Sequence, residues 1–401
     1  MIKANAVIGQ SGGPTSVINA SLAGVMEEIK KSERIESLFG MNCGIEGFLK
    51  EELFNLDKQP ELIVRKLRFT PSSALGSSRH KLKDDDLPKI LEVLKKYNIR
   101  YVFLIGGNDT MDTINRLELY CTEQKYDLIG IGIPKTVDND LFGTDHTPGF
   151  ASAAKSNILN VLQGGWLARD MQKVDKYVIY QTIGRDAGWL AASTALSKKD
   201  EDDAPHLIYP PETIFDKDKF LHDVKKTEEK YGWVSIVVSE GLKYSDGTPV
   251  SSSQRKDKFN NIEFGAMGGA SVGLNVHKII NEEFGWRGEF QITESLIMSD
   301  YVRSVPNDNE EAYQCGVAAV RLAENEESGY MVSINRISNS PYKVSYEKAL
   351  LTDVAVRAKS MPAEFMNKEG NFPSSLFMEY LIPLIDELPD FSRLERNFIK
   401  L

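Results

Sequence analysis

Cysteine is scarce in this chain of 401 residues, which contains only Cys43, Cys121 and Cys315. Three widely separated cysteines predict neither a disulfide framework nor a metal cluster. The sequence also lacks any apolar run near the ~20 residues that span a bilayer, and no export signal precedes the first strand-like segment. We therefore expect a soluble protein of the cytoplasm with no membrane partner.

An excess of positive charge is absent as well. The chain has 48 Lys and Arg against 58 Asp and Glu, a formal net charge of -10 and a pI near 5.3. Nucleic acid would be repelled at long range by such a protein, so we expect no nucleic-acid partner. A local basic site for phosphate remains compatible with this balance.

Short β-branched runs alternate with longer helical patterns along the chain, and its length favours two or three domains. The strand-like runs are AVI at 6–8, YVFLI at 101–105, LIGIGI at 128–133, YVIY at 177–180 and WVSIVV at 233–238. This alternation predicts an α/β fold with two doubly wound, mainly parallel sheet domains and a helical C-terminal extension. The first helix should begin after Thr15 or Ser16 as N-cap.

Two glycine-rich turns follow predicted strands. The first runs from Gly9 to Pro14, and the second is GGNDT at 106–110. Glycines let backbone amides approach an anion at a helix N-terminus, so phosphate is the natural ligand, although a tight turn or a helix cap would also explain each motif. Neither motif fits a Walker A loop or G-x-G-x-x-G, which argues against a dinucleotide-binding oxidoreductase.

PKTVDND at 134–140 places several reactive groups at the end of an apolar strand. In extended chain, Thr136, Asp138 and Asp140 point to one side. Asp138 can then accept a hydroxyl proton while Asp140 helps to hold Mg²⁺, whose preferred ligands are oxygens. The alternative is an Asp-Asn-Asp turn without chemistry.

These residues resemble the phosphofructokinase family over most of the chain. The matching blocks, in the order of the family, are SGGP at 11–14, LGSSR at 75–79, GGNDT, PKTVDND, IGRDAG at 183–188, VVSEG at 237–241 and DYVRSVP at 300–306. The resemblance implies phosphoryl transfer to the 1-hydroxyl of fructose 6-phosphate, with residues 1–150 binding the phosphoryl donor and residues 151–306 the sugar phosphate. Residues 307–345 would pack back on the donor domain, and 346–401 would form the helical extension, for which we predict no chemistry.

The resemblance also implies roles for single residues. Asp138 would be the general base, and Thr136 would bind the sugar phosphate or the transferred group. Donor phosphates would contact Gly12, Gly13, Arg79, Gly107, Thr110 and Lys135, and the metal would lie near Asn108 and Asp140. Fructose 6-phosphate would be surrounded by Ile183, Gly184, Arg185, Glu240, Tyr301 and Arg303, with Arg185 also catalytic.

Two positions in the motifs imply the donor. Family members that use ATP carry GGDGS and PGTIDND, whereas those that use inorganic pyrophosphate carry GGDDS and PKTIDND. Asp109 and Lys135 stand at the deciding positions here, so the chain looks like the pyrophosphate type. Asp109 fills space and adds negative charge against a nucleotide, and Lys135 compensates charge on pyrophosphate. The rivals are an ATP-dependent enzyme that tolerates both residues and, more remotely, an inactive regulatory subunit.

The chain departs from the pattern in places. Asn108 stands where many family members have Asp, and Ile183 stands where many have Met. The segment DYVRS is one residue shorter than the usual Tyr-x-x-Arg. Either Asp300 or Tyr301 would therefore face the substrate. The segment 257–274 resembles a block of pyrophosphate enzymes. Lys176 matches a basic residue that, in the family, contacts the substrate phosphate of the neighbouring subunit. The alternative is that Lys176 is an ordinary solvated lysine. The first interpretation predicts a homodimer or homotetramer.

Overall fold

The structure is a computed structural model that describes residues 3–78, 80–251, 271–394 and 399. Its strands are β1 (Ala4–Gln10), β2 (Ile35–Met41), β3 (Leu53–Asn55), β4 (Ile99–Gly106), β5 (Ile129–Pro134), β6 (Tyr177–Thr182), β7 (Leu207–Tyr209), β8 (Val234–Ser239), β9 (Gly288–Ile292), β10 (Tyr330–Asn339) and β11 (Tyr342–Leu350). Its α-helices are α1 (Ile18–Ile29), α2 (Gly44–Leu49), α3 (Glu61–Leu67), α4 (Asp86–Lys96), α5 (Asn108–Glu123), α6 (Phe150–Asp170), α7 (Trp189–Ser193), α8 (Lys217–Tyr231), α9 (Val272–Phe284), α10 (Pro306–Glu324), α11 (Leu351–Val354) and α12 (Ser375–Leu381).

The strands form two sheets. The larger has the order β11-β10-β5-β4-β1-β2-β3 and is parallel except at β3 and β11, its two edges. The smaller has the order β7-β8-β6-β9 and is parallel throughout. The predicted α/β fold with two mainly parallel sheets is therefore confirmed.

Helices cover both faces of the larger sheet, which explains why its central strands are apolar on both sides. Alternate residues of β4 enter opposite cores: Phe103 packs with the residues of α1 and α10, and Val102 packs with those of α4 and α5. The contact between α1 and α10 is close, since a Cβ on Gly316 would lie 2.1 Å from the carbonyl oxygen of Ser21. This packing holds α10 against the helix that follows the first glycine turn.

Two local predictions are wrong. The first helix begins at Ile18 with Val17 as N-cap, because the Thr15 hydroxyl accepts a hydrogen bond from the Val17 amide before the helix starts. The predicted helical extension begins only after Leu350, since residues 342–350 form a strand antiparallel to β10. Among the described residues, no helix is both long and apolar enough to cross a bilayer.

Candidate active site

The two glycine turns and PKTVDND follow β1, β4 and β5, which are neighbours in the larger sheet. Their loops meet at one edge, as parallel strands require, and face the loops that follow β6 and β8. Between them lies a cavity of about 770 Å³. The predicted residues that line it are Gly12, Gly13, Gly107, Asn108, Asp109, Thr110, Lys135, Thr136, Asp138, Asp140, Ile183, Arg185 and Glu240.

The first glycine turn is shaped by the side chain of Lys135. Gly12 has a φ of +77°, which favours glycine, and a Cβ there would lie 3.3 Å from Lys135 Nζ. Lys135 Nζ donates a hydrogen bond of 2.6 Å to the carbonyl oxygen of Gly13. The turn and the end of β5 thus form one wall of the cavity, with a cation built into it.

Lys135 is almost fully buried, with 3% of its surface exposed. Burial lowers the pKa of its ammonium group to about 8, although Asp138 and Asp140 oppose the shift. A buried cation at the mouth of a glycine turn attracts an anion much more strongly than a solvated lysine does.

Asp138 has the properties of a general base whose pKa is close to neutral pH. Burial, followed by repulsion from Asp140 and Glu240, raises its pKa to about 7. Its amide donates to the Thr136 hydroxyl at 3.1 Å, and its buried Oδ1 accepts no hydrogen bond from the described residues. The carboxylate therefore has a free oxygen for a substrate proton.

Asn108 and Asp140 supply oxygens beside it. Asn108 Nδ2 donates to Asp140 Oδ2 at 2.9 Å, and the buried Oδ1 of Asn108 has no hydrogen-bond partner in the described part of the chain. Burial raises the pKa of Asp140. In residues 3–78, 80–251 and 271–394, no group of three or more His, Cys, Asp and Glu forms a metal site. The side-chain oxygens of Asn108 and Asp140 nevertheless fit Mg²⁺, which usually takes few ligands from the protein and keeps water and substrate oxygens as the others.

The opposite wall comes from the smaller sheet. Gly184 has a φ of +122°, and a Cβ there would lie 2.7 Å from the Ala187 carbonyl oxygen. Its amide donates to Glu240 Oε1 at 3.3 Å. Burial raises the pKa of Glu240 to about 7, while Arg185 opposes the shift for both Glu240 and Asp138. Arg185 is thus electrostatically coupled to carboxylates of both walls.

Four described residues of the prediction do not line the cavity: Gly184, which lies between two lining residues, and Lys176, Tyr301 and Arg303. Lys176 precedes β6 at the far end from Ile183, about 20 Å away at the usual rise per residue. Its Nζ donates to Glu228 at 3.1 Å. Arg303 donates to Asn160 of α6 at 2.5 Å, and Tyr301 does not line the cavity.

Two predictions concern residues that the structure does not describe. Arg79 and most of the segment 257–274 lie outside the described residues, and Ser271 in its last part caps α9. Asp300 accepts a hydrogen bond from Ser156 at 2.8 Å, so the choice between Asp300 and Tyr301 stays a prediction.

Several residues that line the cavity were not predicted from the sequence, among them Ser11, Ser78, His80, Lys81, Asp112, Arg116, Asp186, Glu294, Ser295 and Met298. Helical spacing would have found some of them, because Asp109, Asp112 and Arg116 recur at i, i+3 and i+7 on α5. Arg116 donates to the carbonyl oxygen of Leu82 at 2.8 Å and so holds the loop that carries His80 and Lys81.

A cavity with these groups fits an α/β enzyme that handles phosphate esters. A model of the phosphofructokinase family matches residues 5–323. A relative from Halomonas elongata, named pyrophosphate--fructose 6-phosphate 1-phosphotransferase, is 36% identical over 98% of this chain and 94% of its own. A relative of the same name from Rhodospirillum rubrum is also 36% identical, over 99% and 98%. The chain belongs to the phosphofructokinase family.

The solved structures agree with this result. The pyrophosphate-dependent phosphofructokinase from Nitrosospira multiformis superposes with a TM-score of 0.87 at 35% identity, covering 98% of this chain and 94% of that one. The family expected from the sequence motifs is confirmed.

Proposed function

We propose that this protein transfers the terminal phosphoryl group of Mg²⁺-pyrophosphate to the 1-hydroxyl of fructose 6-phosphate, giving fructose 1,6-bisphosphate and phosphate. The observation that carries the proposal is the wall formed by Lys135 and the Gly12–Gly13 turn, a buried cation beside open backbone. Relatives of matching length carry the name of this activity. The reaction belongs to glycolysis and is reversible in principle.

The chemistry needs one proton acceptor. The sugar 1-oxygen attacks the terminal phosphorus, the bridging P–O bond breaks, and phosphate leaves. Asp138 takes the hydroxyl proton, and its pKa of about 7 suits that role near neutral pH. In the reverse direction the protonated Asp138 returns the proton. Positioning and charge neutralisation supply most of the remaining catalysis in such transfers.

Donor choice follows from two side chains on one wall. Lys135 balances the charge of pyrophosphate and of the phosphate that leaves. Asp109 is exposed in the first turn of α5 and lines the cavity, so that its carboxylate opposes a longer, charged nucleotide. Pyrophosphate has no counterpart of the α-phosphate and adenosine of ATP, so it avoids that conflict.

Mg²⁺ is the cofactor that the donor set fits. The Asn108 and Asp140 side chains would hold it through oxygen atoms. When bound, the ion neutralises charge on the phosphate oxygens. The chain itself orients the pair, because the hydrogen bond between Asn108 and Asp140 joins the helix after β4 to the loop after β5.

Binding of the sugar phosphate falls to the opposite wall, with Ile183, Gly184, Arg185 and Glu240 around the sugar. Thr136 contacts the sugar phosphate from residues 134–140, here called the catalytic loop. Tyr301 and Arg303 complete the set only if their segment moves toward the cavity. Lys176 is too distant from its own cavity, so its role requires a second subunit and hence a homodimer or homotetramer. This function predicts that the protein lies in the cytoplasm.

A paired donor assay tests the proposal. Turnover of fructose 6-phosphate should be much faster with pyrophosphate than with ATP, and faster ATP turnover would exclude the donor assignment. Asp138→Ala should lower kcat by about 10²- to 10⁴-fold with little change in KM. Asp112→Ala is the matched control, because Asp112 is a carboxylate that lines the same cavity but lies on α5, outside the catalytic loop. Near wild-type turnover in Asp138→Ala would exclude the base.

A further inference from the structure

The loop that carries Asp138 and Asp140 is held from behind by the residue between them. Asn139 is fully buried and adopts a φ of +57°, a left-handed conformation that Asn tolerates better than most residues. Its Oδ1 accepts from Lys359 Nζ at 3.2 Å, and its Nδ2 donates to the Tyr380 hydroxyl at 2.9 Å. Both partners come from the C-terminal part of the chain.

Lys359 Nζ has three hydrogen-bond acceptors in this loop. Besides Asn139, its Nζ donates to the carbonyl oxygens of Thr144 at 3.2 Å and Asp145 at 2.6 Å. Its backbone amide donates to the carbonyl oxygen of Asp140 at 2.7 Å. Tyr380 adds a bond of 3.0 Å from its hydroxyl to the Asp145 carbonyl oxygen.

The same segment reaches the opposite wall of the cavity. The indole of Trp189, which begins α7 directly after the sugar-side loop 183–188, donates to the Lys359 carbonyl oxygen at 3.3 Å. Glu212 Oε1 accepts from the amides of Gly188 at 3.0 Å and Met361 at 3.1 Å. Residues 358–361 are therefore bonded to the loops of both walls.

We propose that residues 358–361 and Tyr380, here called the C-terminal clasp, position the two carboxylates of the catalytic loop and fix its separation from the sugar-side loop. Lys359 and Tyr380 are positioning residues, since neither lines the cavity. The inference rests on the proposed function for its kinetic part. An error of about 1 Å in the placement of a reacting group can lower a rate about 10²-fold.

Tyr380→Phe and Lys359→Met test the clasp in the full-length protein. Tyr380→Phe removes one hydroxyl with little change in volume. Tyr313→Phe is the matched control, because the Tyr313 hydroxyl donates to Glu27 at 2.6 Å on the surface where α10 packs on α1. Each variant is assayed for kcat and for both KM values, and amide exchange in residues 136–145 is measured by mass spectrometry without substrate.

The clasp variants should lower kcat by about 10- to 10²-fold with KM values within about threefold of wild type. Amide exchange in residues 136–145 should become faster in both, whereas Tyr313→Phe should change neither quantity. Wild-type exchange and kcat in Tyr380→Phe and Lys359→Met would overturn the inference, as would an equal effect in Tyr313→Phe. Because exchange is measured without substrate, a wrong donor assignment would leave that result intact.

Discussion

Lys135→Met separates what Lys135 does for activity from what it does for stability. The substitution keeps nearly the same volume and removes the ammonium group that contacts the Gly13 carbonyl oxygen. We expect a large loss of pyrophosphate turnover without a matching loss of stability. Most substitutions of well-packed buried residues would lower both.

The magnitude for activity follows from the charge. At about 4 Å and an effective dielectric near 20, an ion pair is worth about 4 kcal/mol before desolvation. If about 3 kcal/mol of this is expressed in binding and in the transition state, kcat/KM for pyrophosphate should fall by about 10²-fold. The KM for fructose 6-phosphate should change little.

The magnitude for stability follows from burial. The fall in the pKa of Lys135 from 10.5 to about 8 corresponds to about 3 kcal/mol against the charged form, already including the attraction of Asp138 and Asp140. Removing the buried charge should therefore raise the free energy of unfolding. Loss of the charged hydrogen bond to Gly13 should lower the free energy of unfolding by about 1.5–3 kcal/mol. The two effects nearly cancel, so the free energy of unfolding should stay within about 1 kcal/mol of wild type or rise.

Kinetics over a range of pH and urea unfolding at pH 7 measure both effects. In the free wild-type enzyme, Lys135 loses its proton as pH rises through about 8, so kcat/KM for pyrophosphate should fall there. That alkaline limb should be missing from Lys135→Met. Wild-type kcat/KM in the variant, or a loss of more than about 3 kcal/mol in unfolding free energy, would refute the reasoning.

Two further predictions concern the donor and the network behind the catalytic loop. Asp109→Gly should gain measurable turnover with ATP whereas Lys135→Gly should not, and equal ATP use by both would contradict the steric argument. His146 is buried between Asp145 at 2.8 Å and Glu311 at 2.6 Å, and interaction with both carboxylates raises its pKa to about 9 against burial. Because this pKa exceeds the unfolded value, the stabilisation is fully present below pH 6.5 and is lost as pH rises through about 9, by about 3 kcal/mol in total. Urea unfolding at pH 6.5 and 9 measures the change in unfolding free energy. Relative to Glu311→Gln, wild type should lose more stability over this range, because other buried groups titrate equally in both proteins, and equal changes would exclude the role of His146.

Much of the donor side of the site could be predicted from local sequence. The glycine turns and PKTVDND each follow an apolar strand, and a strand pattern needs only neighbouring residues to be recognised. Convergence of the three loops then follows from the parallel sheet. This explains why Gly12, Asn108, Lys135 and Asp138 were all found to line the cavity.

Two predictions failed, one because of a distant contact and the other because of a local hydrogen bond. The helical extension was predicted to begin at residue 346, yet residues 346–350 belong to a strand, because they pair with β10 and Tyr346 packs on the core. The N-cap of α1 shifted because Thr15 bonds locally to the amide of Val17. Neither contact leaves a periodic signal.

The sequence by itself determined the α/β class, the family and the residues that meet at the ends of β1, β4 and β5, because these depend on strand patterns and on short motifs. Only the tertiary structure decided what holds the catalytic loop in place. Asn139 and Lys359 are 220 residues apart, and their contact depends on how the whole chain packs. Likewise, the burial that moves the pKa values of Lys135 and Asp138 toward neutrality is a property of the assembled cavity.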